Sequence, residues 1–337
     1  MQINKQKIAI DLFAGCGGLT LGLKQAGFKV ISAIEIESRA SETYLLNHPE
    51  VNLFKSDIRL VDASELKKQL KLKVGELGLL AGCPPCQGFS RLRTRNKKIF
   101  ELDDRNDLIF EFLRFVQVFQ PQNIMLENVP ALAKDIRFEK FRGAVESLGY
   151  TSIVRVADAS DFGVPQRRKR LILLASKRRT PLLPETVIIK TTVRQAFHQI
   201  RSCATDALHN MKECRSDKVK MIIAAVPING GSRSSLPPEL ILDCHKASDG
   251  FRDVYGRMAW DQVAPTITSG CVNPSKGRFI HPDQNRTISL REAAVLQSFP
   301  PEYKFIPSHG KTSIALMIGN ALPPEFIRCH AAELICL

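Results

Sequence analysis

The feature that most constrains the fold is a regular alternation of strand-like and helix-like segments across the first half of the chain. Lys7-Ile8-Ala9-Ile10-Asp11-Leu12-Phe13 reads as a buried strand, and Ala14-Gly15-Cys16-Gly17-Gly18 as the turn that ends it. Leu19, Leu21, Leu23 and Ala26 then fall at helical apolar positions, Gly27 closes that helix, and a second strand is predicted over 30–35. The pattern continues with a helix over 38–46, a weaker strand ending at Asp57-Ile58, a helix over 63–70 and a strand over 77–81. A helix over 107–119, a strand over 123–127, a helix over 138–148 and strands over 152–157 and 171–175 complete it. Such alternation predicts an α/β fold, a doubly wound and mostly parallel sheet with helices on both faces. Ligands of these sheets bind beyond the carboxyl ends of the strands.

The chemically distinctive residues fall at those ends. Asp11 and the glycine turn close the first strand, Glu35 the second, Asp57 the third, Cys86 the fourth and Glu127 the fifth. Residues far apart in sequence are thereby predicted to converge on one crevice. Gly15-x-Gly17-Gly18 lacks both the Gly-x-Gly-x-x-Gly spacing of a dinucleotide site and the Lys-Ser/Thr of a P-loop. An acid ending the second strand suits ribose hydroxyls, and Glu35 stands there. An adenosine cofactor without a pyrophosphate fits best, which points to S-adenosylmethionine. Each glycine is equally well accounted for by a tight turn, and Glu35 by a solvated strand end.

The stretch Gly82-Cys83-Pro84-Pro85-Cys86-Gln87-Gly88-Phe89-Ser90 follows the fourth strand. Its prolines fix φ and remove backbone donors, presenting Cys86 on a stiff segment. Arg91, Arg93, Arg95, Lys97 and Lys98 come next with no acid among them. A thiol beside a cationic run suits an activated nucleophile with an anionic partner. A redox Cys-x-x-Cys or half a zinc site is the competing account, and the loop alone divides evenly between them. The other seven of nine cysteines are scattered, so neither a second Cys-x-x-Cys nor a disulfide framework is present, and no metal site is expected. The formal net charge of +14 points to a polyanion, nucleic acid before membrane. No apolar run is long enough to span a bilayer, and the N-terminal apolar stretch is read as a first strand, not a signal peptide.

Together these motifs resemble the carbon-5 cytosine DNA methyltransferase family. Asp11 to Gly18 look like its cofactor loop and Gly82 to Ser90 like its catalytic loop, with Cys86 in the nucleophile's place. Glu127-Asn128-Val129, Gln166-x-Arg168-x-Arg170, Arg291-Glu292-Ala293-Ala294 with Gln297-Ser298-Phe299-Pro300, and Gly319-Asn320-Ala321-x-Pro323-Pro324 match further family motifs in order. Ser56 departs from the glycine frequent before Asp-Ile, and the segment around Asp103 and Arg105 matches loosely. The resemblance implies a Rossmann-like, S-adenosylmethionine-dependent fold with a smaller irregular target-recognition domain. It assigns catalysis to Cys86, Glu127, Arg168 and Arg170. The cofactor falls to Asp11, Phe13, Gly15, Cys16, Gly17, Gly18, Glu35, Ile36, Asp57, Ile58, Pro85 and Asn320. DNA contact falls to Gln87, Ser90, Arg91, Arg93, Arg95 and Arg168.

The chemistry explains the residue types. Carbon 5 of cytosine is a poor nucleophile until a thiolate adds at carbon 6, and an acid near ring nitrogen 3 relieves the charge that builds there. Cys86 and Glu127 take these roles, while Cys83 is expected to be a buried structural thiol and Arg168 or Arg170 to pair with the acid. The target atom is hidden in a stacked duplex, so the base must be flipped out, and the run over 91–98 suits gripping phosphates around it.

From Lys177 the alternation fails. Residues 177–278 hold 16 lysines and arginines against nine acids, with strand-like pieces at 187–189 and 221–226 and a loop-like stretch at 229–238. The expected organisation is a catalytic and cofactor domain over 1–177, a target-recognition domain over 178–288, and a segment over 289–337 returning to the first. The expected partner is double-stranded DNA, with a cognate restriction endonuclease acting on the same site left open, for a monomer in the cytoplasm near the nucleoid and off membranes. A transfer-RNA-directed relative is disfavoured by the basic insertion, a thiol–disulfide oxidoreductase by the other motifs, and a catalytically dead DNA-binding module by Cys86 and Glu127.

Overall fold

The computed structural model describes residues 7–85, 107–200, 206–246 and 253–335. The apolar run at the start forms β1 (Ile8–Leu12), buried at every position because it is hydrogen-bonded on both sides. It pairs in parallel with β2 (Lys29–Glu35) and with β4 (Leu79–Gly82), and β2 pairs in parallel with β3 (Asn52–Lys55). β4 pairs in parallel with β5 (Asn123–Asn128). β6 (Thr151–Asp158) and β7 (Lys169–Ser176) are antiparallel to each other, and β7 is antiparallel to β5. The seven-stranded sheet has the order β3-β2-β1-β4-β5-β7-β6. It is the mostly parallel sheet predicted, with one reversed strand, β7, antiparallel to both its neighbours; the short connection from β6 permits an antiparallel pair where a parallel one would need a crossover.

The helices fall close to the predicted spans: α1 (Gly18–Gln25), α2 (Ser38–Asn47), α3 (Ala63–Gln69), α4 (Leu108–Phe119) and α5 (Ile136–Ser147). Glu37, Asp62 and Asp135 accept amide bonds at the starts of α2, α3 and α5. On α4, Phe112, Phe115, Val116 and Phe119 share one face and join Leu80, Ile124 and Phe141 in the main core. The last helix, Pro324–Ile335, packs on α1 through Gly22. There a side-chain carbon would stand 2.5 Å from the Pro324 carbonyl oxygen, so only glycine allows the approach.

The described residues form two compact units, one within 1–162, 169–186 and 322–337, the other within 163–168 and 187–321. These bounds depart from the expected segmentation. Residues 178–186 stay with the sheet, and 289–321 pack in the second unit, so only the final helix returns. Two strand expectations in this half also fail. Ile188, in the apolar run 187–189, is 99% exposed and outside any strand. Residues 221–226 fall largely in the helix Asp217–Ala225, whose Ile222 and Ile223 are buried with Tyr255 and Ile280. A short apolar run cannot by itself distinguish a core strand from a buried helix.

The second unit replaces a sheet ladder with a buried cation. Arg257 is fully buried and donates to the carbonyls of Ile223, Val226, His281 and Gln284 and to Asn285 Oδ1. Irregular chain leaves buried carbonyls without partners, and a five-donor guanidinium can satisfy several at once. β-Pairing among its described residues is limited to isolated bridges such as Gln166 with Ala264. No helix among the described residues is long and apolar enough to cross a membrane.

Candidate active site

Strand register assembles the acid and its partners. Gly82 stands beside Leu12 on one side and Leu126 on the other, so one more residue places Cys83 next to Glu127. The Cys83 thiol donates to Glu127 Oε2 at 2.7 Å. Across the antiparallel pair Glu127 faces Ile172, and Arg170, two residues from Ile172, is its diagonal neighbour on the same face. Arg170 Nε lies 2.9 Å from Glu127 Oε1. Glu127 is only 2% exposed, and the neighbouring guanidinium offsets part of the cost of burying its carboxyl group. The expected ion pair is therefore Arg170's. Cys83 is not the buried packing thiol expected: it is half-buried and spends its proton on the acid.

Asn128 has a role that its motif alone does not reveal. Its Nδ2 donates to the Pro84 carbonyl at 2.9 Å while its Oδ1 accepts the Val129 amide at 2.8 Å. A Pro-Pro segment offers carbonyls but no N–H, so an amide side chain is a fitting clasp for it. The signal was its place next to the acid on a strand that must abut the Pro84-Pro85 turn. Pro85, half-buried, ends the described part of that turn. Cys86, Gln87, Ser90, Arg91, Arg93 and Arg95 lie outside the described residues.

At the end of β1 the glycine loop folds as its sequence demands. Gly15 and Gly17 have φ of 56° and 98°, the left-handed region. Phe13 shares it at φ 66°, where an aromatic residue bears about 1–2 kcal/mol of strain. Glu35 closes the loop from β2, its Oε2 accepting the Gly15 amide at 2.7 Å and its Oε1 the Glu37 amide at 2.8 Å. Burial pushes its carboxyl above the usual range, opposed by the Glu37, Gly15 and Ile36 amides, which leave part of its acceptor capacity for a further donor. A side-chain carbon on Gly15 would meet nothing within 4 Å, so the loop is open on that side. α1 starts from Gly17 with no side-chain cap and no acid in its first turn, leaving its first amides suited to an anionic group. Ile36, beside Glu35, is 66% exposed and offers an apolar surface at the same edge.

The other expected cofactor residues have partners of their own. Asp11 is fully buried and supports the loop from inside. Its Oδ2 accepts from Thr20 Oγ1 at 2.6 Å, Thr20 meets the Tyr44 hydroxyl at 2.8 Å, and burial pushes its carboxyl up to about 7. Cys16 is buried, with its thiol pushed up to about 12, so only its backbone is on offer. Ile58 is part of the main core. Asp57 caps the turn that follows β3 and pairs with Arg59, which holds its carboxyl below the usual range. Asn320 is exposed at the end of the helix Lys311–Asn320 in the second unit.

The Gln-x-Arg-x-Arg motif splits between the units. Arg168, 3% exposed, donates to the carbonyls of Ile267 and Gly319, both at 2.9 Å. Gln166 donates to Leu296 O and Gln297 Oε1 and accepts the Ile267 amide, and Gln297 donates in turn to Ile318 O. The catalytic and DNA-contacting roles expected of Arg168 do not fit a guanidinium buried among carbonyls. It is a fastener of the second unit.

Residues 8–336 match the family model for C-5 cytosine-specific DNA methylases. The chain is similar to the type II methylase M.HgiDII of Herpetosiphon aurantiacus, 37% identical over 341 residues that cover 96% of this chain and 94% of that one. It is 31% identical to the type II methyltransferase M1.HphI of Haemophilus parahaemolyticus, over 97% and 86% of the two chains. Its structure resembles that of a prophage-encoded Escherichia coli protein assigned as a DNA modification methyltransferase, with a TM-score of 0.71, 25% identity and coverage of 98% and 99%. A mostly parallel seven-stranded sheet, an acid and an arginine paired at its edge, and a family match over nearly every residue lead to one conclusion: the chain belongs to the C-5 cytosine-specific DNA methylases and is a DNA cytosine-5 methyltransferase.

Proposed function

We propose that this enzyme transfers the methyl group of S-adenosylmethionine to carbon 5 of a cytosine flipped out of a specific duplex sequence, through a covalent bond to Cys86. The observation that carries this reading is the buried Glu127–Arg170 pair, beside a Pro84-Pro85 turn that Asn128 clasps and that leads directly into Cys86. A Cys86 thiolate adding to carbon 6 makes carbon 5 nucleophilic. Glu127, held by Arg170, is placed to hydrogen-bond or protonate ring nitrogen 3 as charge builds on the base.

The cofactor edge fits S-adenosylmethionine. Glu35 retains lone pairs for ribose hydroxyls, Ile36 an apolar face for the adenine, and the open side of Gly15 with the first amides of α1 suits the cofactor carboxylate. When bound, the cofactor supplies an electrophilic methyl group. Gln87, Ser90, Arg91, Arg93 and Arg95 contact the DNA around the flipped base. The sheet unit carries catalysis and the second unit target recognition, in a cytoplasmic monomer near the nucleoid that acts on double-stranded DNA.

A duplex carrying 5-fluorocytosine in the target site tests the mechanism, because its carbon-5 substituent cannot leave. The expected result is a denaturation-resistant adduct at Cys86 that forms only with S-adenosylmethionine. Its absence on duplexes that bisulfite sequencing shows to be methylated would overturn the covalent step.

A further inference from the structure

Behind the glycine loop, α2 ends on a histidine that solvent barely reaches. His48 is 1% exposed, its ring edge-on to Tyr44 with centroids 5.0 Å apart. Its Nε2 lies 3.3 Å from the Gly17 carbonyl oxygen, and its Nδ1 3.3 Å from Lys24 Nζ. Lys24 is held in turn by Glu50 at 2.6 Å. An ammonium only donates, so the Nδ1 facing it must accept. That leaves the single proton of the neutral ring on Nε2, aimed at Gly17. A second proton would set Nδ1–H against the ammonium. Burial first and Lys24 second accordingly hold the imidazole down to about 4, so it is neutral under ordinary conditions.

Gly17 is the left-handed residue from which α1 starts, and its carbonyl also accepts the Leu21 amide at 2.9 Å. His48 takes the remaining lone pair. The carbonyl and the following N–H of a trans peptide point in opposite directions. Holding the Gly17 oxygen therefore sets the direction of the Gly18 N–H at the uncapped start of α1.

We propose that His48, with its tautomer set by Lys24 and Glu50, is a positioning residue for the cofactor loop: it fixes the Gly17–Gly18 peptide on which the S-adenosylmethionine carboxylate docks. This rests on the reading that the loop binds that cofactor. Isothermal titration of the full-length protein with S-adenosylhomocysteine and S-adenosylmethionine separates the two ideas. If the wild type binds neither, the cofactor reading fails; the His48 proposal is judged on the variants of a binding wild type.

His48→Phe keeps a ring against Tyr44 and removes the donor, and should weaken binding about tenfold, equivalent to about 1.4 kcal/mol. His48→Gln returns an amide donor near the place of Nε2 and should stay within roughly threefold of wild type. Lys24→Met leaves the ring in place but frees its tautomer, for an expected loss of roughly two- to fivefold. Duplex DNA affinity should be unchanged in all three. Binding by His48→Phe within twofold of wild type, or a His48→Gln as weak as His48→Phe, would overturn the proposal. Should His48→Phe not fold, unaltered binding by Lys24→Met would overturn it as well.

Discussion

The carboxyl edge of the sheet and the carbonyl-binding hub of the second unit are both built from the motifs that mark the family, and they use polar side chains in opposite ways. In the hub, Gln166, Arg168 and Gln297 direct their bonds to backbone carbonyls and to one another, below the surface. At the edge, Glu35 accepts the Gly15 and Glu37 amides, and Glu127 accepts from the Cys83 thiol and faces the Arg170 guanidinium. Arg168 and Arg170 show the contrast within three residues: the first ties carbonyls together, the second faces the acid. A polar residue in a shared motif thus marks either chemistry or the scaffold that shapes it, and its partners decide which.

The largest expected effects belong to the edge. Cys86→Ala should abolish methyl transfer, and Glu127→Gln should slow single-turnover transfer by about 10²- to 10⁴-fold in protein that circular dichroism shows to be folded. Unchanged turnover in Glu127→Gln would remove the acid from the reaction and break the comparison at its centre.

Asp11 tests the support beneath that edge. Its carboxyl stands at about 7 in the folded protein against an ordinary 3.8, and its Oδ1 is buried with no hydrogen-bond partner among the described residues. The folded state thus binds this proton more tightly than the unfolded one. The associated stability is complete below about pH 4 and is lost as pH rises through about 7, a span of roughly 4 kcal/mol at most. Asp11→Asn cannot ionise, so its advantage over wild type in urea unfolding should grow from pH 4 to pH 8. A constant difference across that range would mean that the carboxyl titrates normally.

Arg168→Met should cost roughly 3 kcal/mol of stability by stranding the Ile267 and Gly319 carbonyls and leave transfer by the folded protein largely intact, while Arg170→Met should lower transfer even in protein that remains folded. The reverse assignment, with Arg168→Met fully stable but inactive, would place Arg168 among the reacting groups. The smallest effect is expected of Cys83→Ala, which removes one neutral donor from Glu127 and should reduce transfer by less than about tenfold. A loss equal to that of Cys86→Ala would restore the two cysteines to equal standing as a thiol pair.

Much of the edge was legible without coordinates. Apolar periodicity marked the strands from Ile8 to Asn128 and the helices between them, because burial on both faces of a parallel sheet leaves a continuous apolar run. Placing Glu35 and Glu127 at strand ends followed from the same pattern. The apolar runs at 187–189 and 221–226 misled, since a few residues carry no period and chain held by Arg257 needs none.

What the sequence by itself determined was therefore the order of the sheet-forming elements along the chain, the loop rich in glycine and the place of Glu127 at a strand end. These depend on local spacing and on turns that only certain residues make. The tertiary structure alone decided that Arg170 rather than Arg168 pairs with Glu127, that Cys83 touches the acid, and that Asp11 and Ile58 lie inside. Each of those depends on which long-range partner a side chain meets: strand register set the first two, and packing against the core the others. His48 belongs to the same class, since nothing in its neighbourhood of sequence announces that it reaches Gly17, thirty-one residues away.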